Sequence, residues 1–345
     1  MINYLNIETL IGENFGMNFR NIYKHLDIDL KKCTDQQIKN IAKLTAYHSN
    51  VLLRNQNLTK DEYARILALW GDKTQHHAWY EDPDHHQIQY VTNRAMPELG
   101  GKRGIFPRGE LEWHCNGTLA LDPEDCVTLY CVVPTKDRCD TIFLNGVEAY
   151  KDLPVDIKEK IENTFLMITS DVRSFHRSDF EHLITRPEQP RILNDNRAYT
   201  IGEDQVTAEE AKDLHNIQGR HRSKGPIYQS MLHRKKAFSV DGARWKYVYK
   251  KLVHEHTITG QKGLYFPFLN VAGFNDIVKD EWKELYDFLV EHYLKYQYSH
   301  DWKTGDLMLF DQTQALHKRQ PFPEVDGKQQ DRLLWRGTFY YEGVK

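Results

Sequence analysis

His114, Asn116 and His317 are the residues whose types and spacing suit a bound metal ion. Alternate residues of a strand point to one side, so the His-x-Asn spacing would place His114 and Asn116 on one face and Cys115 on the other. Mononuclear non-haem iron sites use two histidines and one carboxylate and leave further positions open for reactants. Asn116 would stand where the carboxylate is expected, and Glu112, on the same face, could supply a substitute.

Arg332 and Arg336 form a second pair, beginning fifteen residues after His317. In a strand they would share one face, with Leu333 and Trp335 on the other. Two guanidinium groups inside a barrel require bound anions, because unpaired buried charge is costly and arginine binds carboxylates through paired hydrogen bonds. The alternative is a surface strand with two exposed arginines.

Short strands dominate the elements that must position these residues. Thr34 with Gln37 and Thr59 with Glu62 are capping boxes that predict two helices, and Gly71 predicts the end of the second. The predicted strands are Val51–Arg54, Gln87–Thr92, Cys126–Val133, Thr141–Leu144, Leu264–Val271, Asp306–Phe310 and Arg332–Tyr340, and further helices follow Pro154 and Asp280. Many strands without βαβ alternation favour a mainly β barrel or sandwich with added helices.

The composition is that of an ordinary folded protein, with 345 residues, 40 % hydrophobic and 28 % charged, and a net charge of -3. No window approaches eighteen apolar residues and the N-terminal stretch has no signal-peptide pattern, so we expect no membrane partner and a cytoplasmic location. The five cysteines form no C-x-x-C pair, which predicts reduced thiols.

Several ordered segments resemble the taurine dioxygenase family of Fe(II)/2-oxoglutarate-dependent oxygenases, and the resemblance covers most of the chain. The segments are Leu53–Thr59, Trp113–Asn116, Asp140–Pro154, His256–Tyr265 and Trp302–His317. The resemblance implies a double-stranded β-helix, or jelly-roll, core. It also implies one domain over residues 1–345, with an insertion or lid at about 187–253.

The same resemblance implies roles for individual residues. His114, His317 and Asn116 would be the catalytic residues and the ligands of Fe(II). Thr141 and Arg332 would bind the co-substrate 2-oxoglutarate, whereas Arg336 and Asn93 would contact the substrate itself. The implied reaction consumes O2, converts 2-oxoglutarate into succinate and CO2, and hydroxylates an unactivated C–H bond of a small molecule.

Asn116 departs from the family pattern, which has Asp at this position. Four explanations stay open. Asn116 is a substitution introduced for Asp, or the enzyme works with an amide or water as the third ligand. Alternatively the chain is a halogenase, a related class with Gly or Ala here and chloride on the metal, or it is a non-catalytic binding relative.

A basic segment bears on the substrate. Residues 219–251 contain ten Lys or Arg and one acid, Asp241. Clustered cations attract anions, so a small anionic substrate is expected, although a solvated surface segment explains the same charges. Trp245, Tyr247 and Tyr249 lie among the cations, which keeps nucleic acid as a less favoured partner. Formation of a homo-oligomer stays open.

Overall fold

The computed structural model describes residues 24–71, 80–105, 107, 111–118, 124–168, 199–201, 248–274 and 277–341. The chain divides into two compact units: Met1–Glu112 with Glu124–Phe143 and Tyr298–Lys345, and Trp113–Pro123 with Leu144–Gln297. The single domain stays a prediction. Most of the expected insertion at 187–253 lies outside the described residues, and so do eight of the ten cations of the basic segment 219–251.

Strands outnumber helices in the described part of the chain. The helices are α1 (Asp35–His48), α2 (Lys60–Leu69), α3 (Gly146–Lys151), α4 (Val155–Ile161) and α5 (Trp282–Leu294). The strands are β1 (Lys24–Leu26), β2 (Asn50–Leu53), β3 (Gln89–Thr92), β4 (Ala95–Met96), β5 (Lys102–Arg103), β6 (Leu111–His114), β7 (Cys126–Val133), β8 (Thr141–Asn145), β9 (Phe165–Ile168), β10 (Tyr199–Ile201), β11 (Val248–Lys251), β12 (Val253–Glu255), β13 (Lys262–Leu264), β14 (Val271–Phe274), β15 (Gln297–His300), β16 (Leu307–Asp311), β17 (Ala315–Arg319), β18 (Glu324–Val325), β19 (Lys328–Gln329) and β20 (Leu333–Phe339).

Both predicted capping boxes are confirmed. In α1, the backbone nitrogen of Gln37 donates to Thr34 Oγ1 at 3.3 Å, and Thr34 N donates to Gln37 Oε1 at 2.8 Å. Thr59 and Glu62 make the equivalent pair at the start of α2. These bonds satisfy amide groups that a helix start otherwise leaves without acceptors.

A six-stranded sheet of the first unit has the order β1-β2-β16-β7-β20-β3. Strand β20 therefore lies between β7 and β3, and Arg336 faces Gln89 on β3 and Leu129 on β7. A register shift in the pairing of β20 with β7 falls between Leu333 and Leu334. The pairing places β16 and β20, which lie far from β7 in the sequence, on either side of it.

The core of the first unit lies between this sheet and a second one, in which β15, β8 and β17 are neighbours. Ten buried residues form one cluster of this core: Leu52, Val91, Val127, Leu129, Cys131, Phe143, Trp302, Met308, Phe310 and Leu334. Phe143 of β8 packs edge-on against Phe310 of β16, with ring centroids 5.0 Å apart. Burial of these apolar side chains on both sheets positions the residues that follow each strand.

The second unit contains a four-stranded sheet in the order β10-β11-β9-β14 and a hairpin of β12 and β13. The strand predicted at Leu264–Val271 is wrong. Strand β13 ends at Leu264, Phe268–Asn270 form a 3₁₀ turn, and β14 begins at Val271. Pro267 precedes the turn, and because proline lacks an N–H it cannot continue a strand ladder.

Two composition-based expectations can be compared with the described residues. All five cysteines are free thiols, as predicted. Within those residues, no helix has the length and apolar character needed to cross a membrane.

Candidate active site

Thr141 opens strand β8 and is buried in the first unit. The indole nitrogen of Trp302 donates a 2.9 Å hydrogen bond to Thr141 Oγ1. A hydroxyl group has one donor proton and two acceptor lone pairs. Because Trp302 uses an acceptor position, the Thr141 proton can be donated to an oxygen of a bound molecule.

Arg332 lies one residue before β20 and is only 1 % exposed. Its Nη1 donates to the backbone oxygen of Cys139 at 3.2 Å, and the Cys139 sulfur lies 3.6 Å away. Nε has no hydrogen-bond partner, and no carboxylate of the described residues lies within salt-bridge distance. Burial lowers the pKa of Arg332, with partial compensation from Cys139 and Cys131. The Arg332 guanidinium group is therefore suited to bind an anion.

Arg319, the last residue of β17, was missed by the sequence reasoning. Its Cζ lies 4.3 Å from the ring centroid of Phe322, and Arg332 Cζ lies 5.1 Å from the same centroid. Burial, and then the charge of Arg332, lower the pKa of Arg319 to about 10. An anion beside Phe322 would reduce the repulsion between the two cations. The sequence feature that could have revealed Arg319 is the His-x-Arg spacing from His317, which places both side chains on one strand face.

Arg336, by contrast, has internal partners. Its Nη1 donates to Gln89 Oε1, and its Nη2 lies 3.6 Å from Glu124 Oε1. The side chains of Arg336 and Glu124 are 11 % and 5 % exposed. Burial lowers the pKa of Arg336, and the nearby Glu124 carboxylate opposes that effect. The substrate contact of Arg336 stays a prediction.

Asn93 contacts the backbone on both sides of Asp331. Its Nδ2 donates to the Gln330 oxygen at 2.8 Å, and its Oδ1 accepts from the Arg332 nitrogen at 2.9 Å. The hydroxyl of Thr92 donates to the Arg332 oxygen at 2.6 Å. These bonds fix the chain that carries Arg332, while contact of Asn93 with a substrate stays a prediction.

His317, at the centre of β17, packs within the first unit and is 8 % exposed. Its ring centroid lies 4.8 Å from that of Phe310 and 6.2 Å from that of Phe143. These two core residues also pack against each other. The aromatic contacts limit how the His317 imidazole can turn.

His114 and Asn116 belong to the second unit. Strand β6 ends at His114, and Asn116 lies in a turn that contains Gly117 with φ of 66°. Side chains alternate along β6 only as far as His114, so the predicted placement of His114 and Asn116 on one strand face does not hold. Cys115 Sγ lies 3.1 Å from both Thr118 Oγ1 and Tyr265 Oη, which anchors the turn. The Glu112 side chain lies outside the described residues.

The metal ligands stay a prediction as a set. In the part of the chain that the structure describes, no group of three or more His, Cys, Asp and Glu side chains could hold a metal ion. The predicted trio contains only two side chains of those types. Two imidazole nitrogens and an amide oxygen match the number of donors in a facial iron site, but they contribute no negative charge.

The fold is similar to that of solved structures. A taurine dioxygenase from Burkholderia xenovorans superposes with a TM-score of 0.58 at 16 % identity, covering 92 % of this chain and 86 % of that one. AAD-2 in complex with Mn(II) and N-oxalylglycine superposes with a TM-score of 0.56 at 16 % identity, covering 92 % of this chain and 93 % of that one. The predicted mainly β fold with a double-stranded β-helix core is confirmed by these likenesses.

The chain belongs to the family described as taurine catabolism dioxygenase TauD, TfdA, whose model matches residues 14–338. Pentalenolactone F synthase of Streptomyces arenae is 24 % identical over 247 residues, which are 71 % of this chain and 67 % of that protein. The prediction of a 2-oxoglutarate-dependent dioxygenase is thereby confirmed. Enzymes of this class use Fe(II) with 2-oxoglutarate and O2 as co-substrates.

Proposed function

We propose that this enzyme hydroxylates a small molecule and converts 2-oxoglutarate into succinate and CO2. The observation that carries the proposal is the buried Arg332, which has no carboxylate partner among the described residues. Arg332 and the donor proton of Thr141 bind the distal carboxylate of 2-oxoglutarate. Arg319 adds a second positive charge beside Phe322.

In this proposal His114, His317 and Asn116 hold Fe(II), which when bound supplies the oxidative chemistry with O2. The chain binds and orients the reactants. The aromatic contacts of His317 fix one imidazole, and the turn at Cys115 supports the residues next to the other. An amide oxygen is a weaker ligand than a carboxylate, so we expect modest iron affinity.

The experiment that tests the metal assignment is Asn116→Asp. If a carboxylate is needed here, the variant binds Mn(II) about tenfold more tightly, a gain of about 1.4 kcal/mol, and raises succinate formation coupled to product several-fold. Mn(II) binding is measured from the electron paramagnetic resonance signal of the unbound ion. Glu112→Gln is the control, since it removes the carboxylate that could substitute. Unchanged affinity and turnover in Asn116→Asp contradict the need for a carboxylate.

Halogenation is the second candidate, because the third ligand position lacks a charged group. The mass of the product formed with and without chloride separates halogenation from hydroxylation. A non-catalytic binding relative is the third candidate. It is supported if neither the wild type nor Asn116→Asp develops the weak visible charge-transfer band with Fe(II) and 2-oxoglutarate in the absence of O2.

The anionic substrate, the cytoplasmic location and the possible partners remain sequence-based predictions. The expectation of an anion depends on the basic segment 219–251 and on Arg336. Succinate release can be screened across sulfonates, phosphonates, amino acids and nucleotides, with their neutral analogues. Product mass must be measured in each case, because 2-oxoglutarate is also consumed without substrate oxidation. A steep loss of binding with salt would favour nucleic acid.

A further inference from the structure

Arg332 and Arg336 have opposite electrostatic surroundings, although they are only four positions apart in the chain, with Arg332 just before β20 and Arg336 within it. Arg332 donates to a backbone oxygen and has no carboxylate within salt-bridge distance among the described residues. Arg336 has Glu124 at 3.6 Å. Among the described residues, therefore, one guanidinium group lacks a counterion and the other has one.

The Arg336 contacts follow from the sheet. Strand pairing sets Arg336 directly opposite Gln89, which accepts from its Nη1. Glu124 lies two residues before β7, the strand on the other side of β20. Both neighbours are buried, Gln89 at 0 % and Glu124 at 4 % exposure. In this low-dielectric setting the Glu124 carboxylate compensates most of the positive charge that an incoming acid would meet.

We infer that Glu124 excludes acidic groups from Arg336, and that the molecule oxidised by this enzyme is neutral where it meets Arg336. The inference rests on the proposed function and names the substrate class for that site. A sulfonate or carboxylate at Arg336 would be repelled by Glu124. A carbonyl, hydroxyl or ether oxygen could accept from the remaining guanidinium donors without that repulsion.

Methanesulfonate and its neutral analogue dimethyl sulfone are suitable probes. Binding is measured by calorimetry with saturating 2-oxoglutarate, so that Arg332 is already occupied. In the wild type we expect no saturable binding of methanesulfonate at Arg336. In Glu124→Gln, which removes the charge but keeps the shape, we expect saturable binding at least about tenfold tighter than in the wild type.

The double variant Glu124→Gln with Arg336→Gln is the matched control and should lose the gain. The inference is overturned if the wild type binds methanesulfonate saturably and Arg336→Gln abolishes that binding. It is also overturned if folded Glu124→Gln gains no affinity. Should Glu124→Gln fail to fold, methanesulfonate binding is compared between the wild type and Arg336→Gln. Saturable binding by the wild type that is lost in Arg336→Gln would still overturn the inference.

The proposed function is tested separately in the same samples. Glu124→Gln should retain the 2-oxoglutarate affinity of the wild type, because the co-substrate is assigned to Arg332. A wild type that does not bind 2-oxoglutarate refutes the proposed function. A wild type that binds 2-oxoglutarate and also methanesulfonate through Arg336 refutes only the role of Glu124.

Discussion

Trp302 donates its indole hydrogen to the hydroxyl oxygen of Thr141 at 2.9 Å, and both residues are buried. The bond joins the segment after β15 to the start of β8, and it sets the direction of the remaining Thr141 proton. Trp302 thereby orients the Thr141 hydroxyl, which is the group that can donate to a bound molecule. The 2-oxoglutarate site of the proposal depends on this pair.

Trp302→Phe should weaken 2-oxoglutarate binding by about tenfold, because the Thr141 hydroxyl can then rotate and lose its orientation. The 2-oxoglutarate concentration that gives half-maximal succinate release measures the effect. Tyr298→Phe is a control, since its hydroxyl contacts His300 and not Thr141. Equal changes in both variants would indicate a general loss of packing in the core.

Arg332→Met and Arg336→Met should affect stability in opposite ways. Arg332→Met removes a buried charge for which the described part of the chain provides no carboxylate partner, so the free energy of unfolding should stay constant or rise. Arg336→Met leaves Glu124 as a buried unpaired charge and should cost about 3–5 kcal/mol. Urea unfolding measures both. Arg332→Met should nevertheless lose 2-oxoglutarate binding, and a variant that kept it would remove Arg332 from the site.

The His85 network should give a pH-dependent contribution to stability. His85 contacts Asp61 at 2.7 Å and Asp82 at 3.0 Å, and the hydrogen bond to Asp61, more than that to Asp82, raises its pKa. A raised histidine pKa stabilises the fold below about pH 6.5, and the contribution disappears as pH rises through the folded-state pKa. Asp61→Asn should therefore destabilise the protein below about pH 6.5, by less than about 1 kcal/mol because the Asp61 side chain is largely exposed. Above the folded-state pKa of His85 the destabilisation should be smaller still.

Urea unfolding of the wild type and of Asp61→Asn, measured once below about pH 6.5 and once above the folded-state pKa of His85, tests whether the difference in stability is larger at the lower pH. An equal difference in stability at both pH values would show that protonation of His85 does not contribute.

Asp82 in the same network gives a stability contribution with the opposite pH dependence. Burial opposes its ionisation, but Lys60, Tyr90 and His85 together hold the pKa of Asp82 well below its usual range. Its contribution is present above about pH 4 and is lost as pH falls further.

Gly305→Ala should be clearly more destabilising than Gly327→Ala. Both glycines have positive φ, 83° and 70°, so alanine is strained at either position. A Cβ at Gly305 would lie 2.4 Å from the Gln56 backbone oxygen, whereas nothing lies within 4 Å at Gly327. We expect a cost of about 1 kcal/mol at Gly327 and more than about 3 kcal/mol at Gly305. Thermal unfolding of the two variants tests the difference.

Local chemistry explains what the sequence could predict. The capping boxes at Thr34 and Thr59 use residues three positions apart, so they can be read without knowing the fold. Strand β7 has the predicted bounds because its apolar run is buried along most of its length. The order of motifs from Trp113 to His317 was sufficient to indicate the family.

Pairing between distant segments explains what was missed. Glu124 becomes the partner of Arg336 because β20 pairs with β7, and no local pattern reports that contact. Arg319 and Arg332 both lie close to the ring of Phe322, although β17 and β20 belong to different sheets. The turn at Asn116 could have been anticipated, since Gly117 follows it and glycine readily adopts positive φ.

The position of β20 also constrains how the protein is made. Leu333–Phe339 lies between β7 and β3, so both of those strands lack this neighbour until the ribosome has synthesised residues 333–339. Such exposed strand edges can pair with other chains. We therefore expect nascent or truncated chains without β20 to aggregate or to remain bound by chaperones, and release of β20 from the ribosome to be the step that commits the sheet to its native pairing.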